Sequence, residues 1–348
     1  MKAKTALTYD DIQLIPMLSN IETRQSINLR TRVSKNYYIN VPLVASCMDT
    51  VCDSTMAIAM MQMGGVGCIH RFMTIEEQAD EVAKVKDFQE NSSESYSDLP
   101  IMAAVGVVGD FFNRAAALIE AGCNIIVIDV AHGHHTNMKK AIEVLKLNLP
   151  DYVDIIAGNI ATAKAAEDLC EWGADGVRVG IGGGSLCTTR VQTGFGVPNV
   201  TSIEECFKVA DDYDVPIMAD GGIKSSGDIA KALAVGADCV MIGSLLSGTK
   251  ESPGAILEKP GGLFKRYRGS ASLETKITHN QKQRNVEGES TIVPFKGGVK
   301  FILAGLLDGI KSAFSYAGSS NIKEYHSNAA YYIVTNAGAQ EGKPHLIM

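Results

Sequence analysis

Short apolar segments rich in β-branched residues alternate with segments whose apolar residues recur at helical spacing. The apolar segments predict eight strands, at residues 41–46, 66–70, 101–105, 124–129, 154–158, 176–180, 215–220 and 238–243. Helical spacing predicts helices near residues 54–63, 75–85, 111–121, 138–147, 163–172, 203–209 and 228–235. Continuous apolar strands separated by helices are typical of a parallel sheet buried on both faces. The pattern predicts an α/β fold with one (β/α)8 TIM barrel over residues 1–348; an open doubly wound sheet is the alternative.

Three segments depart from this repeat. Residues 89–98 are polar and predict an exposed loop. Residues 258–294 are rich in glycine and charge with little apolar periodicity, which predicts a mobile segment with a functional role. Helical spacing returns at residues 300–315, and residues 337–348 predict an extended C-terminal arm.

Composition narrows the class of protein. The formal net charge is −7 and there is no basic block, so nothing favours a nucleic-acid partner. No apolar run reaches the roughly 18 residues needed to span a bilayer, and no signal-peptide core is found, so no membrane is expected. The eight cysteines lie mostly in apolar runs without C-x-x-C pairs, which predicts reduced thiols and a cytoplasmic protein.

Polar residues follow most of the predicted strands. In a barrel of this kind the catalytic groups lie at the carboxyl ends of the strands. Those ends carry Ser46, Met48, Asp49, His70, Arg71, Asp129, His132, Asn159, the loop 182–190, Asp220, Gly221, Gly222, Gly243 and Ser244. Each type also has an ordinary structural use, because Asp and Ser cap helices and Gly makes turns.

The loop 182–190 carries the strongest chemical signal. Its glycines lead directly into Cys187, Thr188, Thr189 and Arg190. Glycine lets the backbone approach a ligand closely, so a thiol after such a loop is presented to a substrate. A buried cysteine beside a tight turn is the alternative, but the polar residues that follow favour a nucleophile.

Two further loops suit a phosphate. Asp220-Gly221-Gly222 and Gly243-Ser244 follow the seventh and eighth predicted strands, a frequent phosphate site in barrels. The Asp220 carboxylate suits a ribose diol. The ligand is therefore expected to be a nucleoside monophosphate whose purine ring faces Cys187, where a thiolate could add to an electron-poor carbon. Thr189 and Glu287 could handle protons, although spacing alone favours a solvated carboxylate for Glu287.

The segment from Asp129 to His135 contains three histidines and could bind a metal by composition. The spacing fits a metal site poorly. We therefore expect Asp129, His132 and Gly133 to form a wall that contacts the ribose or nicotinamide of a cofactor.

The chain resembles the family of IMP dehydrogenases and GMP reductases. The motifs that carry the resemblance are Leu7-Thr8-Tyr9-Asp10-Asp11, Met48-Asp49-Thr50-Val51, Gly158-Asn159, residues 179–190, residues 219–223, residues 240–244, Tyr267-Arg268-Gly269-Ser270 and Pro294-Phe295-Lys296-Gly297. The resemblance implies a barrel, GMP or IMP as substrate and product, a nicotinamide cofactor, a cysteine-linked intermediate and a homotetramer.

The resemblance also implies roles by position. Cys187 would be the nucleophile, and Thr189 and Glu287 would assist the departure of ammonia. The ribose phosphate would contact Ser46, Asp220, Gly222, Gly243, Ser244 and Tyr267, and the base would face Met48, Gly269 and Ser270. Asp129, His132, Gly133, Asn159 and Arg178 would lie toward the cofactor or the cysteine loop. Carbonyls of Gly182, Gly184 and Cys187 would bind a monovalent cation such as K⁺.

The family has two branches, and three features favour the reductase. Most dehydrogenases carry a tandem CBS insertion where this chain has only residues 89–98. Dehydrogenases also carry a long flap with an Arg-Tyr pair that activates water, and no such pair occurs from Tyr267 to Glu287. The segments around Gly269, Glu287 and Gly194 resemble a bacterial reductase.

The tail from Ala337 to His345 resembles a dehydrogenase instead. The expectation is an NADPH-dependent GMP reductase, with a CBS-less, NAD-dependent IMP dehydrogenase as the alternative. A non-catalytic nucleotide-binding protein is disfavoured because Cys187, Thr189 and Glu287 are all present.

Overall fold

Strands and helices alternate through most of the chain. The computed structural model describes residues 3–94, 96–279 and 282–344. In chain order the strands are β1 (Ile12–Leu14), β2 (Thr31–Arg32), β3 (Tyr38–Ile39), β4 (Leu43–Ala45), β5 (Val66–Ile69), β6 (Met102–Val105), β7 (Ile125–Asp129), β8 (Asp154–Ile160), β9 (Gly176–Val179), β10 (Ile217–Asp220), β11 (Cys239–Ile242), β12 (Leu257–Lys259), β13 (Gly262–Arg268), β14 (Ser290–Pro294) and β15 (Tyr331–Ile333). The α-helices are α1 (Ser54–Gln62), α2 (Ile75–Asn91), α3 (Phe111–Glu120), α4 (Thr136–Asn148), α5 (Ala163–Glu171), α6 (Thr189–Thr193), α7 (Asn199–Ala210), α8 (Ser226–Ala234), α9 (Leu273–Thr278), α10 (Val299–Tyr316), α11 (Ile322–Asn328) and α12 (Asn336–Glu341).

Eight parallel strands close into a barrel in the spatial order β10-β11-β4-β5-β6-β7-β8-β9. Every residue of β5, β6, β8, β9 and β11 is buried. Burial of both faces is expected where helices cover the outside and side chains fill the inside. The predicted (β/α)8 barrel is confirmed, and the open doubly wound sheet is wrong because the strand order closes on itself.

Capping residues mark where several barrel helices begin. The Asp53 carboxylate accepts from backbone N–H groups at the start of α1, and Thr162 and Ser225 cap α5 and α8 in the same way. Thr74 and Glu77 form a capping box at the start of α2. These caps lie on the loops that follow barrel strands, so local sequence determines how each strand passes into its helix.

Among the described residues no helix is long and apolar enough to cross a membrane.

The segment 258–294 contains strands and a helix that its weak apolar periodicity does not predict, and its mobility stays a prediction. Strands β12, β13 and β14 form an antiparallel sheet between the last barrel strand and α10, and α9 lies between β13 and β14. Its apolar periodicity is weak because Lys265 and Tyr267 are the buried residues of β13. The Lys265 ammonium donates to the backbone carbonyls of Thr249 and Ser252, which compensates its burial. We call residues 257–294 the flap.

Two further predictions are corrected. Helix α2 continues to Asn91, so the first residues of the predicted loop 89–98 are helical. The Gln89 side chain holds the rest of the loop against the last turn of this helix by donating to the carbonyls of Tyr96 and Leu99 at 2.9 and 2.8 Å. The predicted extended arm contains helix α12, which Thr335 caps. The remainder of that predicted arm, residues 345–348, lies outside the described residues.

Candidate active site

A cavity of about 370 Å³ opens at the carboxyl ends of the barrel strands. Residues that follow β4, β5, β7, β8, β9 and β10 line one side of it, and the flap lines the other. From the flap come Tyr267, Gly269, Ser270, Lys276 and Glu287. The cavity therefore lies between the rigid barrel rim and the inserted flap.

The cysteine loop, residues 180–190, owes its shape to Arg190. The Arg190 guanidinium donates to the carbonyl of Val197 at 2.7 Å and to that of Ile181 at 3.2 Å. Gly182 has a φ of +76°, and a Cβ there would lie 2.5 Å from Cγ of Arg190. Only glycine fits such a position. The arginine thus holds the loop that presents the half-buried Cys187 to the cavity.

A chain of two hydrogen bonds leads away from the cysteine. The Cys187 thiol donates to Oγ1 of Thr189 at 3.2 Å, and the Thr189 hydroxyl donates to Oε2 of Glu287 at 2.7 Å. Glu287 is half-buried and bonded rather than a solvated loop carboxylate. This cysteine–threonine–glutamate relay can carry a proton between the sulfur and the carboxylate.

Backbone hydrogen bonds hold Glu287 against the cysteine loop. The Thr188 N–H donates to the carbonyl of Glu287 at 3.0 Å, and the Glu289 N–H donates to the carbonyl of Leu186 at 2.9 Å. The backbone N–H of Glu287 donates to the carbonyl of Ala271 at 3.2 Å. The position of the carboxylate is therefore determined by the main chain and does not depend on a flexible side chain alone.

Arg178 is the ionic centre of the cavity floor. Its guanidinium contacts Oδ1 of Asp129 at 2.8 Å and Oδ2 of Asp220 at 2.9 Å, and all three side chains are largely buried. Burial opposes ionisation of Asp129, but the charges of Arg178 and Arg71 outweigh it and keep its pKa below the usual value. Arg178 therefore holds two carboxylates, a role that its position in the sequence did not reveal.

Asn159 lies at an irregularity in the pairing of β8 with β9. Its amide nitrogen donates to the carbonyl of Gly180 at 2.7 Å and to Oδ2 of Asp220 at 2.8 Å. Its Oδ1 is buried and accepts no hydrogen bond from the described residues. A buried acceptor without a partner at a cavity wall suits an N–H donor of a ligand.

The predicted base and phosphate residues converge on one side of the cavity. The hydroxyls of Tyr267 and Ser185 lie 3.1 Å apart. A Cβ on Gly243 would lie 3.2 Å from Sδ of Met48 and 3.4 Å from the Tyr267 hydroxyl. Burial raises the pKa of Tyr267, so its hydroxyl stays protonated and can donate to an anion.

Most predicted site residues line the cavity. These are Cys187, Thr189, Glu287, Ser46, Met48, Asp220, Tyr267, Gly269, Ser270, Asp129, Asn159, Arg178, Gly182 and Gly184. Gly222, Gly243 and Ser244 are not among the lining residues, but Gly222 follows Gly221 and Gly243 lies against Met48 and Tyr267, which do line the cavity. His132 is exposed and outside it, and Gly133 is buried with its N–H donating to the carbonyl of Asn159 at 2.7 Å. The structure thus does not bring His132 and Gly133 into contact with the cavity.

The sequence did not single out the contact that joins the flap to the barrel. Oδ2 of Asp49 accepts from the guanidinium of Arg268 at 2.7 and 2.9 Å and lies 2.9 Å from Nε2 of His279. The Asp49 side chain is only 3% exposed. Asp49 and Arg268 both belong to motifs of the resemblance, but nothing in their separation along the chain pairs them. We call this contact the Asp49 anchor.

Metal binding finds no support from side chains. Within the described ranges, no cluster of three or more His, Cys, Asp and Glu residues could hold a metal ion. The monovalent-cation site at the carbonyls of Gly182, Gly184 and Cys187 stays a prediction. In the structure the Gly184 carbonyl accepts from the N–H of Cys187 at 3.1 Å.

Comparison with known proteins agrees with the geometry. A family model described as "IMP dehydrogenase / GMP reductase domain" matches residues 6–345. The chain is 38% identical to inosine-5'-monophosphate dehydrogenase from Cryptosporidium parvum, over 97% of this chain and 94% of that protein. It is 35% identical to the enzyme of the same name from Nitrosopumilus maritimus over all of both chains. It is 32% identical to GMP reductase from Leishmania donovani, over 97% and 96%.

A solved structure of similar fold is a cysteine-to-alanine variant of GMP reductase from Trypanosoma brucei in complex with guanosine 5'-monophosphate. It superposes with a TM-score of 0.93 over 99% of each chain, at 31% sequence identity.

Proposed function

This chain belongs to the family of IMP dehydrogenases and GMP reductases, and from that premise we propose that it is a GMP reductase. The proposed reaction is the reductive deamination of GMP to IMP and ammonia, with NADPH as the reductant. Members of the family act on GMP or IMP with a nicotinamide cofactor. The choice of reaction and of NADPH over NAD is our proposal.

The observation that carries the proposal is the cysteine–threonine–glutamate relay. Loss of an amino group needs a proton donor near the leaving nitrogen. The 3.2 Å and 2.7 Å contacts through Thr189 connect such a donor to the nucleophile. The two backbone hydrogen bonds between the flap and the cysteine loop hold Glu287 close to the reacting carbon.

The residues divide the reaction into two steps. As the sulfur of Cys187 bonds to C2 of the purine, its proton passes through Thr189 to Glu287. The carboxylic acid then returns a proton through Thr189 to the amino group while the C2–N bond breaks and ammonia leaves. Reduction at C2 would then let the C–S bond break and release IMP with Cys187 as a thiolate, which must take up a proton from solvent to regenerate the thiol.

NADPH, when bound, supplies the hydride for the second step. Asn159 fits a nicotinamide because its buried Oδ1 is an acceptor that could take an N–H of the carboxamide. Asp129 and Arg178 hold the floor beneath it as an ion pair at 2.8 Å. The flap, by covering the cavity, would keep water from the covalent intermediate.

The flap sequence supports the reductase branch. No Arg-Tyr pair occurs from Tyr267 to Glu287, so this part of the flap offers no such base for hydrolysis. Arg266 and Tyr267 do form such a pair at the end of β13. Arg266 is engaged with Glu274 at 3.3 Å, however, and the Tyr267 hydroxyl lies beside Ser185. Neither is arranged as a water-activating pair.

The absence of an inserted domain carries no weight in this choice. The alignment with the Leishmania donovani GMP reductase runs over 474 positions, whereas that with the Cryptosporidium parvum dehydrogenase runs over 386. The alignment with the Nitrosopumilus maritimus dehydrogenase runs over 475 positions, so long relatives of this 348-residue chain carry both names. Length therefore does not separate the two branches.

The second candidate is an IMP dehydrogenase that oxidises IMP to XMP with NAD. Two observations favour it: the resemblance of the tail, and the identity of 35–38% to relatives named as dehydrogenases. K⁺ dependence of turnover would support this candidate.

One pair of assays decides between them. The purified chain is given GMP with NADPH, and separately IMP with NAD, while reduced cofactor, ammonia and XMP are measured. We expect consumption of NADPH with an equal amount of ammonia, and none in Cys187→Ala. Formation of XMP from IMP without deamination of GMP would establish the dehydrogenase instead.

A further inference from the structure

Asn199 connects the two loops that frame the cavity. It is the first residue of α7 and is 3% exposed. Its side-chain amide donates to the carbonyl of Gly221 at 2.6 Å and to that of Asp220 at 3.2 Å. Carbonyl oxygens only accept, so the atom that faces them must be the amide nitrogen.

The same side chain touches the cysteine loop. A Cβ on Gly183 would lie 2.7 Å from Oδ1 of Asn199, and one on Gly221 would lie 3.0 Å from the backbone nitrogen of Gly184. The loop after β10 and the cysteine loop therefore pack against each other with only glycine at the contact. Asn199 is the side chain that joins them.

The two carbonyl contacts orient two peptide groups. Both peptide bonds, Asp220–Gly221 and Gly221–Gly222, are trans. In a trans peptide the N–H points opposite to the C=O. Because Asn199 binds the carbonyls of Asp220 and Gly221, the N–H groups of Gly221 and Gly222 point away from Asn199.

The Gly222 N–H is available to a ligand. Within residues 3–94, 96–279 and 282–344 it donates to no protein acceptor, whereas the Gly221 N–H faces β11, where Asp220 pairs with Met241. Gly221 lines the cavity, and the φ values of +88° and +76° at Gly221 and Gly222 keep both peptides in a conformation that favours glycine. A backbone N–H in such a turn is a donor for an anion.

We propose that Asn199 is a positioning residue for the phosphate of the nucleotide. It holds the Asp220–Gly222 loop so that the Gly222 N–H faces the phosphate, and it joins that loop to the one that carries Cys187. The inference rests on the proposed function in taking a purine nucleoside monophosphate as the ligand. It predicts that Asn199 contributes to the binding of the phosphate and not to the binding of the base.

The test compares ligands with and without a phosphate. Dissociation constants of GMP and guanosine are measured by calorimetry for the wild-type chain and for Asn199→Ala. We expect the GMP constant to rise about tenfold, the equivalent of about one hydrogen bond, with the guanosine constant unchanged. Asn199→Asp keeps the shape but turns acceptors toward the carbonyls, so it should behave like Asn199→Ala and serves if the alanine variant does not fold.

Tyr9→Phe is the matched control. The Tyr9 ring also lies beneath Gly222, with Cε2 3.4 Å from where a Cβ would be, and the phenylalanine retains that packing. It removes a hydroxyl near the Asn199 side chain but neither of the two carbonyl contacts that Asn199 makes. We expect its ratio of GMP to guanosine affinity to match that of the wild type. An equal rise in the dissociation constants of GMP and guanosine in the Asn199 variants would overturn the inference, whichever reaction the enzyme catalyses. Failure of the proposed function shows separately, in the turnover assays.

Discussion

At the residue scale, the chemistry depends on the order of donors in the relay. Thr189 is 9% exposed and sits between a thiol and a carboxylate, so its hydroxyl can pass a proton only if it donates to Glu287 and accepts from Cys187. The relay therefore needs an ionised Glu287 at its far end. A side chain of the same shape that cannot accept a proton would break it.

Glu287→Gln tests that requirement. We expect the rate of ammonia release from GMP to fall about a hundredfold or more, because a proton acceptor and donor is lost. The GMP dissociation constant should change little, since the shape of the side chain is retained. Pre-steady-state ammonia release and equilibrium binding measure the two quantities.

Glu289→Gln is the control for this variant. Glu289 is on the same strand-like segment, and its side chain is exposed, while its backbone makes the contact with Leu186. Its deamination rate should equal that of the wild type. If Glu287→Gln weakened GMP binding as much as it slowed deamination, Glu287 would be structural and not a proton carrier.

At the scale of elements, the flap is joined to the barrel at both of its functional ends. Near Glu287 the contacts are backbone hydrogen bonds to the cysteine loop. At the other end the Asp49 anchor joins the flap to the loop after β4, the loop that also carries Met48. The flap is therefore part of the active site and not a loose cover.

Asp49→Asn should loosen the flap while the barrel stays folded. Removing one charge of a largely buried pair leaves Arg268 with only the more exposed Glu274 as a counter-charge, and it lowers the free energy of unfolding by about 3 kcal/mol. We expect faster proteolysis of the exposed peptide bonds at residues 282–285 and slower deamination of bound GMP. Circular dichroism melting and timed proteolysis provide the measurements.

Glu274→Gln isolates the role of the anchor. Glu274 also contacts Arg268, at 3.3 Å, but it lies within the flap and is more exposed. Glu274→Gln should lower the free energy of unfolding by less than about 1 kcal/mol and leave the rate of proteolysis unchanged. Equal proteolysis of both variants would show that Arg268 acts within the flap and not across to the barrel.

At the scale of the whole molecule, one buried histidine couples the barrel to pH. His70 follows β5, is 6% exposed, and accepts from the N–H of Phe72 at 3.1 Å through Nδ1. Burial lowers the pKa of His70 to about 4, against which the nearby Asp49 acts only in part. His70 is therefore uncharged in the folded chain at neutral pH.

The lowered pKa makes the fold sensitive to acid. A histidine in an unfolded chain has a pKa of about 6.5. As the pH falls from about 6.5 to about 4, His70 therefore becomes protonated in the unfolded chain while it stays neutral in the folded chain. We expect this residue alone to remove about 3 kcal/mol of stability across that range. The contribution is fully present above the unfolded pKa.

His70→Asn retains an acceptor for the Phe72 N–H and does not titrate. Between pH 7 and pH 4 the free energy of unfolding should fall by about 3 kcal/mol less in this variant than in the wild type. Urea denaturation over a pH series measures this, with the exposed His132→Asn as control. Parallel curves for the His70 variant and the wild type would mean that another group accounts for acid sensitivity.

The sequence predicted the barrel well because its signals are local. Alternation of apolar strands with helices, and caps such as Thr74, act over a few residues. The flap escaped the same reasoning because its inward residues are Lys265 and Tyr267, which do not form an apolar pattern. The burial of Lys265 becomes understandable only when the carbonyls of Thr249 and Ser252 are seen around its ammonium.

The sequence alone predicts a barrel, the position of Cys187 on a glycine loop and the rim that would carry the chemistry. The tertiary structure decided which distant residues meet there: Glu287 with Thr189, Asp49 with Arg268, and Asn199 with Gly221. The physical reason is that strand and helix periods are properties of neighbouring residues. A hydrogen bond between residues far apart in the chain exists only once the closed barrel and the inserted flap have brought their loops together.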